Sequence, residues 1–113
     1  MISRFDDRQV PNSIGIVAVN SSGDIVREHL GKLLECNNNS PVVLTVQGNG
    51  FPIGGKVFVS RTGSGSVGIA GGNGVVIHKA EDVGLMVMLH GLVCLIHKGL
   101  NVWGCYGDLV VSG

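Results

Sequence analysis

Hydrophobic and polar positions alternate through much of this chain, most plainly between residues 51 and 78, FPIGGKVFVSRTGSGSVGIAGGNGVVIH. Residues 56–60 (KVFVS) carry the period-two pattern of a half-buried strand. Two further apolar runs follow at 66–70 and 75–78. Between them lie Gly63-Ser64-Gly65 and Gly71-Gly72-Asn73-Gly74, residue types that supply the positive φ of tight β-turns. Sixteen of the 19 glycines lie at or after Gly48, a density no good helix survives. The same reading predicts strands over 14–19, 32–36, 41–46, 85–90, 92–98, 101–106 and 108–111.

One region departs from this period. Between Ser22 and Glu35 the apolar Ile25, Val26, Leu30, Leu33 and Leu34 recur at helical spacing, and Ser21 or Ser22 is placed to cap. Gly31 interrupts the pattern, so a short helix over 23–30 is expected, with one longer helix as the competing reading. Residues 1–13 read as an N-terminal arm, in which Arg4, Asp6, Asp7 and Arg8 surround Phe5 and Pro11 breaks regular structure. The remainder, 14–113, is a single all-β domain. Its expected form is a compact β-sandwich or jelly roll of about 8–10 short antiparallel strands with one short helix. A small β-solenoid is the alternative, although no fixed-period repeat stands out in the sequence.

Charge narrows the function. Only 14% of residues are charged and the formal net charge is zero, which argues against the basic patch that nucleic acid requires. Nine of the sixteen charges fall within residues 1–35, so the poorly charged remainder is expected to have protein against part of its surface. The apolar segment 83–96 contains His90 and two glycines and is too short to span a bilayer, and no membrane anchor is expected. The first residues are charged from Arg4 onward, which predicts synthesis without a secretory leader and reduced thiols at Cys36, Cys94 and Cys105.

Candidate chemistry is thin. Gly63-Ser64-Gly65-Ser66-Val67-Gly68 matches G-x-G-x-x-G, but a Gly/Asn-rich turn follows where a dinucleotide site needs a helix, so a hairpin turn is expected. A type II′ turn starting at Gly99 would place Cys94 opposite Cys105 and Ile96 opposite Trp103, those four sharing the core face. Such a cysteine pair near His90 lacks any recognised metal spacing, and whether the two thiols pair is left open. His29, His78, His90 and His97 lie on four separate elements, and the five aromatic residues are scattered rather than forming a stacking platform. No catalytic residue, cofactor or metal is expected, and the chain does not read as an enzyme.

The order of segments does resemble a family. Gly31-Lys32-Leu33-Leu34 is followed by the β-branched run 41–46 (PVVLTV), then by Phe51-Pro52-Ile53-Gly54, then by the turns GSGSV (63–67) and GNGVVI (72–77). The chain closes with Trp103-Gly104-Cys105-Tyr106-Gly107-Asp108-Leu109. Over about residues 30–110 this pattern resembles small β-rich virion proteins of tailed bacteriophages, including modules near the ends of tail and fibre proteins. It departs where the family carries a Gly-x-Tyr type of step and this chain has His90-Gly91-Leu92.

The resemblance implies a structural virion protein. A domain of this size with an arm and no fibre shaft fits a capsid decoration, or cement, protein, made in the host cytoplasm and resident on the capsid surface. It would bind the assembled phage head as a homo-oligomer, dimer or trimer, and link neighbouring copies of the major capsid protein. Phe5, Val10 and Pro11 of the arm are the expected capsid contacts, by apolar anchoring or strand addition. The alternative is a receptor- or glycan-binding module at a tail or fibre tip.

Overall fold

The computed structural model describes residues 13–111 of the 113-residue chain. Eleven strands are present among them: β1 Ile16–Val19, β2 Gly23–Ile25, β3 Leu33–Cys36, β4 Val42–Val46, β5 Lys56–Arg61, β6 Val67–Gly71, β7 Val76–His78, β8 Val83–Val87, β9 Leu92–Gly99, β10 Val102–Gly107 and β11 Leu109–Val111. The fold is all-β, as the alternation predicts.

Its architecture is not the expected antiparallel sandwich. A six-stranded first sheet runs β1-β3-β5-β9-β10-β7, and a five-stranded second sheet runs β11-β8-β6-β4-β2. From β1 to β6 the chain crosses from one sheet to the other at every connection. Each strand then lies parallel to the one laid down a turn earlier. This is the winding of a β-solenoid, the alternative architecture, and it forms three coils. The connections 37–41 and 62–66 carry the chain over the core edge, and they are tied to each other there: the Thr62 amide donates to the Cys36 carbonyl at 2.9 Å and the Gly65 amide to the Asn38 carbonyl at 2.8 Å.

The second and third coils share a fixed offset. Leu33 lies beside Phe58 and Val42 beside Val67, 25 residues apart in both sheets. The first coil breaks the period because it is shorter throughout: three residues join β1 to β2 (Asn20–Ser22) where five join β3 to β4, β2 itself is shorter than β4, and 26–32 is a shorter connection than 47–55. Stacking of the corners explains two glycines. A Cβ on Gly63 would lie 2.4 Å from the Asn38 backbone, and one on Gly65 would lie 2.2 Å from the Ser40 carbonyl oxygen. The G-x-G-x-x-G stretch is therefore a stacked corner between sheets, not the expected hairpin turn, and its glycines serve close backbone approach. Asn38 continues the stack downward, donating from Nδ2 to the Val19 carbonyl at 2.8 Å.

The expected helix over 23–30 is also corrected. Gly23–Ile25 is strand, pairing parallel with β4, and only Arg27–His29 forms a single 3₁₀ turn. Ile25 is 1% exposed, so one buried side chain fixes this segment as a rung of the coil. Gly31, at φ +75°, then turns the chain into β3.

Residues 76–111 close the third coil differently. The β9–β10 hairpin inserts between β5 and β7, and β8 and β11 add antiparallel strands to the second sheet. Between the two sheets lies one continuous core, built from Leu34, Val57, Val59, Val93, Leu95, Trp103 and Cys105 on one side. Ile25, Val42, Leu44, Val46, Val67, Ile69, Val87 and Leu109 face them from the other.

Candidate interaction surface

The interior organises what the outside can offer. Trp103 is fully buried and donates from Nε1 to the Gln47 carbonyl at 2.9 Å. Phe51 stands edge-on to it at 5.0 Å between ring centroids, and His97 lies 5.0 Å away on another side. Two of the five aromatic residues, Phe51 and Trp103, thus do meet, contrary to the scattered reading, but around a buried indole rather than on a platform. Because a carbonyl only accepts, the His97 Nδ1–H donates to Pro52 O at 3.2 Å. His97 Nε2 is buried and has no partner among the described residues. The cluster pins the 47–55 connection of the coils to the β9–β10 hairpin.

That hairpin corrects the cysteine reading. Leu100 and Asn101 both adopt positive φ (54° and 64°), so the tight turn sits one residue later than expected. Gly99, at φ +99°, takes up the residual residue beside a register shift at Val102/Trp103. Trp103 consequently faces His97, Cys105 faces Leu95 and Cys94 faces Tyr106. Val93, Leu95, His97, Trp103 and Cys105 are the core-facing set, while Cys94 points outward from the sheet. All three cysteines are free thiols. Burial, with the Glu35 charge adding to it, pushes the Cys36 thiol up to about 11. Burial, reinforced by Cys94, pushes Cys105 up to about 11 as well. Burial also raises Cys94, with Lys56 opposing.

Among the described residues nothing else converges chemically. No group of three His, Cys, Asp or Glu side chains could hold a metal among the described residues. The scattered histidines stay apart: His97 is in the core, whereas His78 and His90 are exposed. His29 accepts the Val26 amide at Nδ1 (3.0 Å). No helix among the described residues is long and apolar enough to cross a membrane. The expected contacts Phe5, Val10 and Pro11 lie outside the described residues.

What the fold does present is two sheet faces. Outward positions of the second sheet form the in-register rows Val43–Gly68–Met86 and Asp24–Thr45–Ala70. Asp24, on the edge strand, is the one charged side chain in these rows. Met86 lies across Gly68, whose missing Cβ would stand 3.1 Å from the Met86 Sδ, so the face is nearly flat. Val110, alternating with buried Leu109, extends it onto β11. The outer face of the first sheet carries a longer apolar row, Ile16–Leu33–Phe58–Cys94–Tyr106, across five adjacent strands. Sequence reasoning anticipated a poorly charged surface but not these rows, since finding them requires the parallel register. A third feature is an open cleft of about 250 Å³ beside β2, lined by Asp24, Ile25, Arg27, Gln47, Asn49 and Phe51. Gln47 Nε2 donates to the Asp24 carboxylate at 3.4 Å, and the Arg27 guanidinium donates to Gly50 O at 3.2 Å.

No protein-family model matches the chain, and neither does any characterised protein or solved structure.

Proposed function

We propose that the protein is a structural virion component of the capsid-decoration type, which binds an assembled phage head and stabilises it by linking neighbouring capsid subunits. The observation that supports this most is the outer face of the second sheet. Its central strands carry Val43, Thr45, Gly68, Ala70 and Met86, a flat uncharged surface backed by a close-packed core. Exposed apolar patches on small domains mark interaction sites. A rigid face loses little conformational freedom on docking. A ligand that binds the assembled lattice and not free subunits stabilises the lattice by mass action. The arm residues Phe5, Val10 and Pro11 are a second point of attachment in this scheme.

Co-sedimentation with purified phage heads, beside unassembled capsid subunits, tests it. The protein should pellet with heads alone, and Met86→Asp should weaken retention about tenfold or more, as expected for a charge placed in a desolvated apolar contact. Absence of binding to heads, or equal binding to free subunits, contradicts the proposal.

The cleft favours a second reading, a glycan-binding module at a tail or fibre tip. Asp24, Gln47 and Asn49 offer hydrogen-bond donors and acceptors beside the half-buried Phe51 ring, a mixture suited to a neutral sugar. Binding of sugar-bearing host cells by the purified protein, lost in Asn49→Ala, would support that alternative over decoration.

A further inference from the structure

We propose that two copies of the chain associate through the outer face of the first sheet, about a twofold axis running parallel to its apolar row. This gives the oligomeric part of the decoration reading a specific geometry and rests on that reading only for its use on a shell. Self-association itself is open to test with no shell present.

The row is the first argument. Ile16, Leu33, Phe58, Cys94 and Tyr106 are consecutive cross-strand partners on the solvent side of β1, β3, β5, β9 and β10. At about 4.8 Å between strands it extends roughly 19 Å. Solvent-facing positions of a sheet are ordinarily polar. Here no polar side chain interrupts the row up to Tyr106, and Ile16 is 65% exposed. The Tyr106 ring lies across Gly104, where a Cβ would stand 2.4 Å from the ring. The Lys98 ammonium sits 5.1 Å from that ring's centroid and bonds its hydroxyl.

Charge supplies the second argument and selects the partner. On one side of the row the next positions are Ala18, Glu35, Ser60 and Leu92. Asp108 follows there, accepting the Leu92 amide at 3.0 Å. On the other side stand Lys56, opposite Ile96, and Lys98 further along β9. One border is acidic and the other basic. A twofold axis parallel to the row lays the row on itself and sets each acidic border over the other copy's basic border. Glu35 of one copy then comes beside Lys56 of the other, and Asp108 beside Lys98, each pair occurring twice. A twofold axis along the strands would instead put acid over acid. The face is therefore self-complementary in one orientation, the requirement of an isologous dimer. The second sheet's face has no such borders, so nothing there favours a second copy over any other apolar surface.

Five strands with about three outward positions each give on the order of 500 Å² per copy. Doubled, that lies at the low end of specific interfaces, so micromolar association is expected.

Sedimentation equilibrium of the full chain, from about 5 to about 500 µM, reads this directly. The mass should rise with concentration from 11.7 kDa toward twice that value. Glu35→Lys or Lys56→Glu alone should weaken the dimer about tenfold, and the double exchange should restore it. Phe58→Asp should give a monomer with an unchanged circular dichroism spectrum, while Met86→Asp on the opposite face should leave the dimer intact. A wild-type chain monomeric throughout, a dimer that survives Phe58→Asp, or a double exchange no better than the singles would overturn the proposal.

Discussion

The two halves of this small domain solve the same problem by different means. Residues 16–71 wind in coils, so each strand is paired with the one laid down a turn earlier, and corner stacks upon corner. Residues 76–111 leave that winding: a local hairpin is wedged antiparallel into the first sheet, with β7 parallel to its outer strand, and a pair of antiparallel strands is added to the second. A coil leaves the flank of its inner side chains open wherever no neighbour stacks on it. The antiparallel half provides that neighbour for the third coil. Regular winding builds the two broad faces, and the irregular closure completes the core under them.

If the closure holds the coils through its aromatic anchor, removing that anchor should have the largest effect. Trp103→Ala deletes a fully buried indole and leaves the Gln47 carbonyl without its donor. A loss of about 3–5 kcal/mol is expected. Urea unfolding would measure it, and loss of both halves in one transition is the expected form. A coil half that stayed folded after closure was lost would mean that the two halves are stable independently.

Next in size are the corners. Gly65→Ala drives a methyl group to 2.2 Å from the Ser40 carbonyl oxygen and should destabilise by about 1–3 kcal/mol. Gly74→Ala meets nothing within 4 Å, so only its φ of +78° opposes it, at about 1 kcal/mol. Thermal melts of the pair should rank them in that order, because one glycine serves stacking and the other only a turn.

Thiol labelling separates interior from face at still smaller perturbation. With Cys36 and Cys105 each pushed up to about 11 by burial, neither should react with a thiolate-selective reagent at pH 8 in the folded protein. Cys94, partly exposed on the outer row, should label first. Rapid labelling of Cys105 would mean that the hairpin opens readily.

The smallest effect concerns acid. Burial and the neighbouring Lys32 hold His29 below its usual value, with Glu28 opposing, and its Nδ1 accepts the Val26 amide only while neutral. The unfolded chain then binds the extra proton more readily. The contribution is fully present above about pH 6.5 and is lost as pH falls toward the lower folded value. His29→Asn should flatten the decline in melting temperature below that pH, and an unaltered slope would count against the assignment.

Much of this fold is legible in the sequence, and its failures have physical causes. The β-branched run at 42–46 and the period-two run at 56–60 locate strands to within a residue or two. Pairing direction is not encoded in that period, since parallel and antiparallel strands alternate alike. The 25-residue offset is obscured because stacked partners share size rather than identity, as with Leu34 beside Val59 and Leu44 beside Ile69. Even the recurrent Gly-Asn-Gly at 48–50 and 72–74 is spaced by 24 residues, one short of the structural offset. Helical spacing at Ile25, Val26 and Leu30 misleads because Ile25 enters the core as a strand residue, Leu30 packs against it only in part and Val26 is exposed. The turn after β9 shifts by one residue because Leu100 and Asn101 accept positive φ. That single residue exchanges Cys94 for His97 on the core side. The outer apolar rows follow only once the register is known.

Immunogold electron microscopy of intact virions, with an antibody raised to this protein, tests the virion assignment most directly. Gold distributed over the head is the predicted result. Gold confined to the tail end, or no labelling of the virion at all, would contradict the decoration account.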